Sequence, residues 1–115
     1  MDETLEEFLT KLNKADKIII VEGIKDKKTL EKLGIKNIVT LSKKPIFETI
    51  EKIDCKEAII LTDFDKEGKK LYGKISKELK RNGIKIDSYF REWLQKNTKL
   101  SHIEGLETYI LHNFD

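Results

Sequence analysis

Short apolar runs, separated by segments of helical periodicity, constrain the fold of this chain more than any other feature. Two runs rich in β-branched residues, 17–21 and 58–62, predict buried strands. Residues 37–41 and the alternating pattern of residues 84–90 predict two more. Because these strands alternate with helices, we predict an α/β protein with a four-stranded parallel sheet that is flanked by helices on both faces.

The helical segments begin and end at recognisable signals. Gly34 and Gly83 occupy the position after a helix that often adopts a left-handed conformation, and Ser101 with Glu104 forms a capping-box pattern. No Pro-rich or Gly/Ser-rich linker interrupts the pattern, so residues 1–115 are predicted to form one domain. The predicted helices cover about 2–13, 25–33, 45–53, 66–82 and 102–112.

Composition limits the functional classes only weakly. The chain has 23 basic and 21 acidic residues, so its net charge of +2 does not by itself indicate a nucleic-acid-binding protein. No apolar run is long enough to cross a bilayer, and we therefore expect no membrane association. The single cysteine, Cys55, cannot form an internal disulfide, which favours a cytoplasmic location.

Acidic residues follow the first and third predicted strands. Glu22 and Gly23 end the first run, whereas Asp63, Asp65 and Glu67 follow the third. In an open α/β sheet, ligands bind beyond the carboxyl ends of the strands, where the strand order reverses. If the order is 2-1-3-4, Glu22 and Asp63 meet at that edge.

Carboxylates this close together repel one another. One pair at ~4 Å costs on the order of 4 kcal/mol at an effective dielectric near 20. Solvation, protonation or a bound cation relieves the repulsion, and a set of oxygen ligands favours Mg²⁺, with Mn²⁺ as the alternative. Taken singly, the same residues are also common as loop residues and as helix N-terminal charges. The predicted metal ligands are Glu22, Asp63, Asp65 and, as an additional or water-mediated ligand, Glu67.

Glycines and lysines near these acids suit a phosphate-containing ligand. Gly23 and Gly68 would let the backbone approach a phosphate close to a helix N-terminus. A basic rim around an acidic metal site suits a polyanionic backbone, although a solvated lysine surface is an equal alternative. The lysines predicted to ring this edge are Lys25, Lys27, Lys28, Lys43, Lys44, Lys66, Lys69 and Lys70.

At these residues the sequence resembles the Toprim family, which includes type IA topoisomerases, bacterial primases, overcoming-lysogenization-defect nucleases and the nuclease that matures 5S ribosomal RNA. The motifs are I-I-I-V-E-G at residues 18–23 and L-T-D-F-D-K-E-G at residues 61–68, within a core of about 17–90. The chain is most similar to small stand-alone Toprim proteins that resemble the 5S RNA maturation nuclease.

The resemblance implies a Rossmann-like Toprim fold and a role for each motif residue. Glu22 matches a glutamate that acts as general acid or base in phosphoryl transfer, and Asp63 with Asp65 matches the metal-binding pair. Glu67 falls where topoisomerases have a third acid, and Asp26 matches an acid common in the small nuclease-like members. Phe64 departs from the pattern, since many relatives have proline there.

Three functional hypotheses follow. The first is a Mg²⁺-dependent phosphoryl-transfer domain acting on nucleic acid, most plausibly a nuclease with RNA as the favoured substrate. The second is a non-catalytic, metal-binding subunit that binds nucleic acid or regulates a protein partner. The third is a phosphoacceptor receiver domain, which also carries acids after strands one and three.

The remaining polar and aromatic side chains support weaker predictions. His102 and His112 are too isolated in the sequence to predict a metal site. Tyr89, Phe90 and Trp93 are predicted to pack in the core, with base stacking as the alternative.

Overall fold

Four short strands form one parallel sheet in this computed structural model, which describes residues 3–41 and 43–113. The strands are β1 (Ile18–Val21), β2 (Ile38–Thr40), β3 (Glu57–Ile60) and β4 (Lys85–Ile86). The helices are α1 (Leu5–Lys14), α2 (Ile24–Lys32), α3 (Ile46–Glu51), α4 (Lys66–Arg81), α5 (Tyr89–Asn97) and α6 (Leu106–Asn113), and a 3₁₀ turn (Ile103–Gly105) precedes α6.

The strand order is β2-β1-β3-β4, the order on which the meeting of Glu22 and Asp63 depended, and every pairing is parallel. In the pairing of β1 with β3, Ile20 lies beside Ile60. The strand order reverses between β1 and β3, because the chain passes from β1 outward to β2 and then returns to β3 on the other side of β1. Their carboxyl ends therefore form the crevice where ligands bind in such folds.

The sheet is covered on both faces because successive residues of a strand point to opposite sides. On one side, Ile19 and Val21 pack with the apolar residues of α1, α2, α5 and α6. On the other side, Ile20 and Ile60 pack with those of α3 and α4. The continuous apolar runs of β1 and β3 therefore reflect burial on both faces, which confirms the predicted α/β class.

The prediction of a fourth strand through residues 84–90 was too long. The strand has only two residues, and α5 begins at Tyr89, whose N–H donates to Asp87 Oδ1 at 3.2 Å. Phe90 and Trp93 lie three residues apart on one face of α5, and both rings pack on Phe8. This packing agrees with the core role predicted for Phe90 and Trp93 and favours a helix. Tyr89, for which core packing was also predicted, is instead 41% exposed.

Most helix ends follow the expected signals. Gly34 and Gly83 adopt positive φ angles of 83° and 73°, as a residue after a helix commonly does. The capping box of Ser101 and Glu104 is not seen, because His102 is the N-cap of the 3₁₀ turn and makes no side-chain capping bond. Among the described residues, no helix combines the length and apolarity needed to cross a membrane.

Candidate metal centre

Acidic side chains from two neighbouring strands meet at the carboxyl edge of the sheet. Glu22 directly follows β1, and Asp63 lies three residues beyond β3. The backbone continues the parallel pairing past the strand end, since the Leu61 N–H donates to Ile20 O at 2.8 Å. The two acids are therefore brought together by the register of β1 and β3.

Backbone donors position both aspartates after β3. The Ile103 N–H donates to Asp63 Oδ1 at 2.8 Å. The Gly68 N–H donates to Asp65 Oδ1 at 2.8 Å, which makes Asp65 the N-cap of α4. Each aspartate thus has one oxygen fixed by the main chain and a second oxygen for a cation.

Two groups of potential ligand atoms share Asp63. Glu22, Asp26 and Asp63 form one group, and Asp63, Asp65 and His102 form the other; within each, the ligand atoms lie within 4.8 Å of one another. Glu67 lies in the first turn of α4, is exposed and belongs to neither group. Of the four predicted ligands, the structure therefore brings three together.

These groups fit a divalent cation. Oxygen ligands lie about 2.1 Å from Mg²⁺, so opposite ligands are about 4.2 Å apart. Because the ligand atoms of each group already lie within 4.8 Å of one another, only small side-chain movements would bring them to this spacing. The donors are carboxylate oxygens and one imidazole nitrogen, a set compatible with Mg²⁺ and Mn²⁺.

Burial disfavours full ionisation of the acidic cluster. It raises the pKa of Glu22 to about 8, assisted by a hydrogen bond to Asp63 and by the negative charges of Asp63, Asp26 and Asp65. Burial also raises the pKa of Asp26, although the Gly23 N–H that donates to its Oδ2 at 3.0 Å opposes the shift. Without a cation the cluster therefore retains protons near neutral pH.

We expect the free energy of unfolding of the metal-free protein to fall as pH rises from about 4.5 to about 8. The unfolded chain releases the Glu22 proton near pH 4.5, whereas the folded protein keeps it until about 8. The raised pKa of Glu22 therefore makes its full contribution to stability below about pH 4.5, and this contribution is lost as pH rises through about 8. One coupled proton gives a slope of at most about 1.4 kcal/mol per pH unit.

Urea unfolding in EDTA across this pH range measures that slope. Glu22→Gln should flatten it, whereas Glu31→Gln, an exposed glutamate of α2, should leave it unchanged. An equally steep slope in Glu22→Gln would show that another group binds the proton.

Arg91 supports the loop that carries the aspartates. Its guanidinium donates from Nη1 to Thr62 O and from Nη2 to Asp63 O, the latter at 2.9 Å. It lies between the rings of Phe64 and Tyr72, with its central carbon 4.6 and 4.9 Å from the two centroids. Phe64 therefore covers this buried arginine.

Gly68 is required by a close approach of α4 to the same loop. A Cβ atom at this position would lie 1.9 Å from Asp63 O. The tight approach is also stabilised by the Thr62 hydroxyl, which donates to Gly68 O at 2.8 Å. Gly23 has no such constraint, because nothing lies within 4 Å of a Cβ placed there.

Sequence reasoning missed Arg91 and His102. Arg91 could have been found, because Phe90, Trp93 and Leu94 have helical spacing, with Asp87 before them to begin a helix. The position of His102 carried no such signal, because it depends on the loop after α5 returning to the edge of the sheet.

Comparisons with known proteins agree with this site. The family model described as Toprim domain matches residues 16–89. A UPF0292 protein of Methanocaldococcus jannaschii is 35% identical over 114 residues, which cover 94% of this chain and 88% of that protein. A UPF0292 protein of Pyrococcus abyssi is 38% identical over 104 residues, which cover 89% and 78% of the two chains.

A solved structure shows the same fold at similar sequence distance. A protein from Aquifex aeolicus matches with a TM-score of 0.83 and 34% identity, over 90% of this chain and 98% of that one. The residues that the family model matches include β1 and β3, the strands that Glu22 and Asp63 follow. The chain therefore belongs to the Toprim domain family, and small UPF0292 proteins are its relatives.

Proposed function

We propose that this protein is a Mg²⁺-dependent nuclease, with RNA as its favoured substrate and Mn²⁺ as an alternative metal. Toprim domains have metal-dependent functions related to nucleic acids, and the acidic cluster is of a kind that binds metal. The observation that carries the proposal is the position of Glu22 beside Asp63, which with Asp65 is held by backbone donors at the carboxyl edge of the sheet.

The acidic side chains of the cluster would have different roles. Asp63 and Asp65 would hold the cation, which supplies neutralisation of phosphate charge and activation of water. Glu22 would complete the metal-binding set or transfer a proton, the role that the resemblance to Toprim proteins implies for it. Glu67 would act only as an additional or water-mediated ligand, since it is exposed and outside both groups.

Lysine-bearing grooves adjoin the cluster and support a polyanionic substrate. One groove is lined by Lys25, Lys28 and Lys32 of α2, the helix that begins just after Glu22. The other includes Lys69 beside Tyr72 and Arg91. A phosphate backbone crossing the acidic edge could contact both sets of lysines. The N-termini of α2 and α4 lie at the same edge, where Gly23 is proposed to face the phosphates, whereas Gly68 is buried against Asp63.

We expect purified protein to cleave RNA in Mg²⁺ or Mn²⁺ but not in EDTA. Glu22→Gln should reduce the cleavage rate by about 100-fold or more, because general acid–base catalysis contributes about 10²–10⁴-fold. The measurement is initial cleavage rate on matched RNA and DNA substrates, single-stranded and double-stranded. Glu31→Gln is the matched control, since it removes an exposed carboxylate from the same region of the chain.

The other outcomes separate the alternatives. Metal-dependent binding of nucleic acid without cleavage would indicate the non-catalytic subunit, which then requires a protein partner. Cleavage of DNA alone would contradict the RNA preference and the similarity to the 5S RNA maturation nuclease. Two observations argue against the receiver-domain hypothesis. The family match is to the Toprim domain, and the described residues form a sheet of four strands, whereas receiver domains have five. A cytoplasmic location stays a prediction.

A further inference from the structure

His102 is held beside the two aspartates although it lies about forty residues further along the chain. Its Nε2 atom is 3.3 Å from Asp65 Oδ2, and its side chain is 52% exposed. Main-chain hydrogen bonds fix the residues on both sides of it: the Phe64 N–H donates to Ser101 O, and the Ile103 N–H donates to Asp63 Oδ1, each at 2.8 Å. The imidazole is therefore positioned by the backbone.

We propose that His102 is a metal ligand, which together with Asp63 and Asp65 lets this site bind Mn²⁺, the alternative metal of the proposed function, more tightly than Mg²⁺. The inference rests on the proposed function, because it concerns the same metal centre. Imidazole is a good ligand for first-row transition metals, whereas Mg²⁺ takes oxygen ligands and retains several waters. The other group, Glu22, Asp26 and Asp63, has oxygen donors only and provides no such discrimination.

The hydrogen bonds of Asp65 agree with this assignment. Its Oδ1 atom accepts the Gly68 N–H and is committed to capping α4, so Oδ2 is the atom that lies near both His102 and a cation. A cation bound between Oδ2 and Nε2 would replace their direct contact.

The test compares binding of Mn²⁺ and Mg²⁺ to wild type, His102→Gln and His112→Gln. Glutamine retains an amide that can donate to Asp65 but removes the imidazole, and His112 is an exposed histidine on α6 that serves as the matched control. We expect His102→Gln to weaken Mn²⁺ binding by at least about tenfold. Removing a residue that only orients a metal ligand already costs about 10–100-fold in affinity, and the loss of a ligand itself should cost no less. Mg²⁺ affinity should change much less, and His112→Gln should match wild type for both ions.

Electron spin echo envelope modulation of bound Mn²⁺ gives a direct readout on the wild-type protein. A ¹⁴N coupling typical of coordinated imidazole, absent in His102→Gln and present in His112→Gln, is the expected result. Wild-type protein that binds Mn²⁺ without this coupling would overturn the inference, even if the variant failed to fold. Unchanged relative affinities in a folded His102→Gln would also overturn it, while leaving the metal site intact. If wild type bound neither ion, the proposed function itself would fail.

Discussion

Arg91→Met should lower the free energy of unfolding by about 3 kcal/mol, because it removes a buried guanidinium that donates to two main-chain carbonyls. Methionine can fill part of the space between Phe64 and Tyr72, but it cannot donate a hydrogen bond. The carbonyls of Thr62 and Asp63 would lose their side-chain donor at a largely buried position. The variant also loses a positive charge that lies close to Glu22 and Asp63.

Urea unfolding at equilibrium measures this loss, with Arg81→Met as the matched control. Arg81 is 65% exposed and pairs with Glu78 one helical turn away, so its replacement should change stability by only about 0.5 kcal/mol. Arg91→Lys should be nearly as unstable as Arg91→Met, because an ammonium cannot reproduce the planar, two-carbonyl contact. Wild-type stability in both Arg91 variants would show that the observed hydrogen bonds do not support the loop.

Gly68→Ala should have an effect of similar size, about 2–3 kcal/mol of destabilisation, for a steric reason. The added methyl group would lie 1.9 Å from Asp63 O, so α4 or the loop after β3 must move. Either movement disturbs the hydrogen bond from the Gly68 N–H to Asp65 Oδ1. We therefore expect the variant to bind Mn²⁺ more weakly as well as to unfold more easily.

A second glycine of α4 provides a control for which the opposite change in stability is expected. Gly73 also lies within α4, and nothing is within 4 Å of a Cβ placed there. Gly73→Ala should stabilise the protein by about 0.5–1 kcal/mol, because alanine is the better helix former. Comparing the two alanine variants by thermal and urea unfolding separates helix propensity from the close approach. Equal effects at both positions would contradict the steric explanation for Gly68.

The edge of the sheet could be predicted because its determinants are local. The apolar runs of β1 and β3 are long enough to identify buried strands, and Glu22 and Asp63 follow them directly. Parallel pairing then requires the ends of neighbouring strands to lie together. The region after residue 84 was less predictable, because Ile84 and Ile86 suit a strand while Phe90 and Trp93 suit a helix. Contacts with Phe8, distant in sequence, decide between these patterns.

By itself, the sequence determined the α/β class and the strand ends that carry Glu22, Asp63 and Asp65. These features depend on residue periodicity and on short segments that directly follow strands. Only the tertiary structure decided that Arg91 supports the aspartate loop and that His102 joins Asp65. Both contacts join segments some thirty to forty residues apart, so they depend on how α5 and the following loop pack against the sheet, which no local pattern encodes.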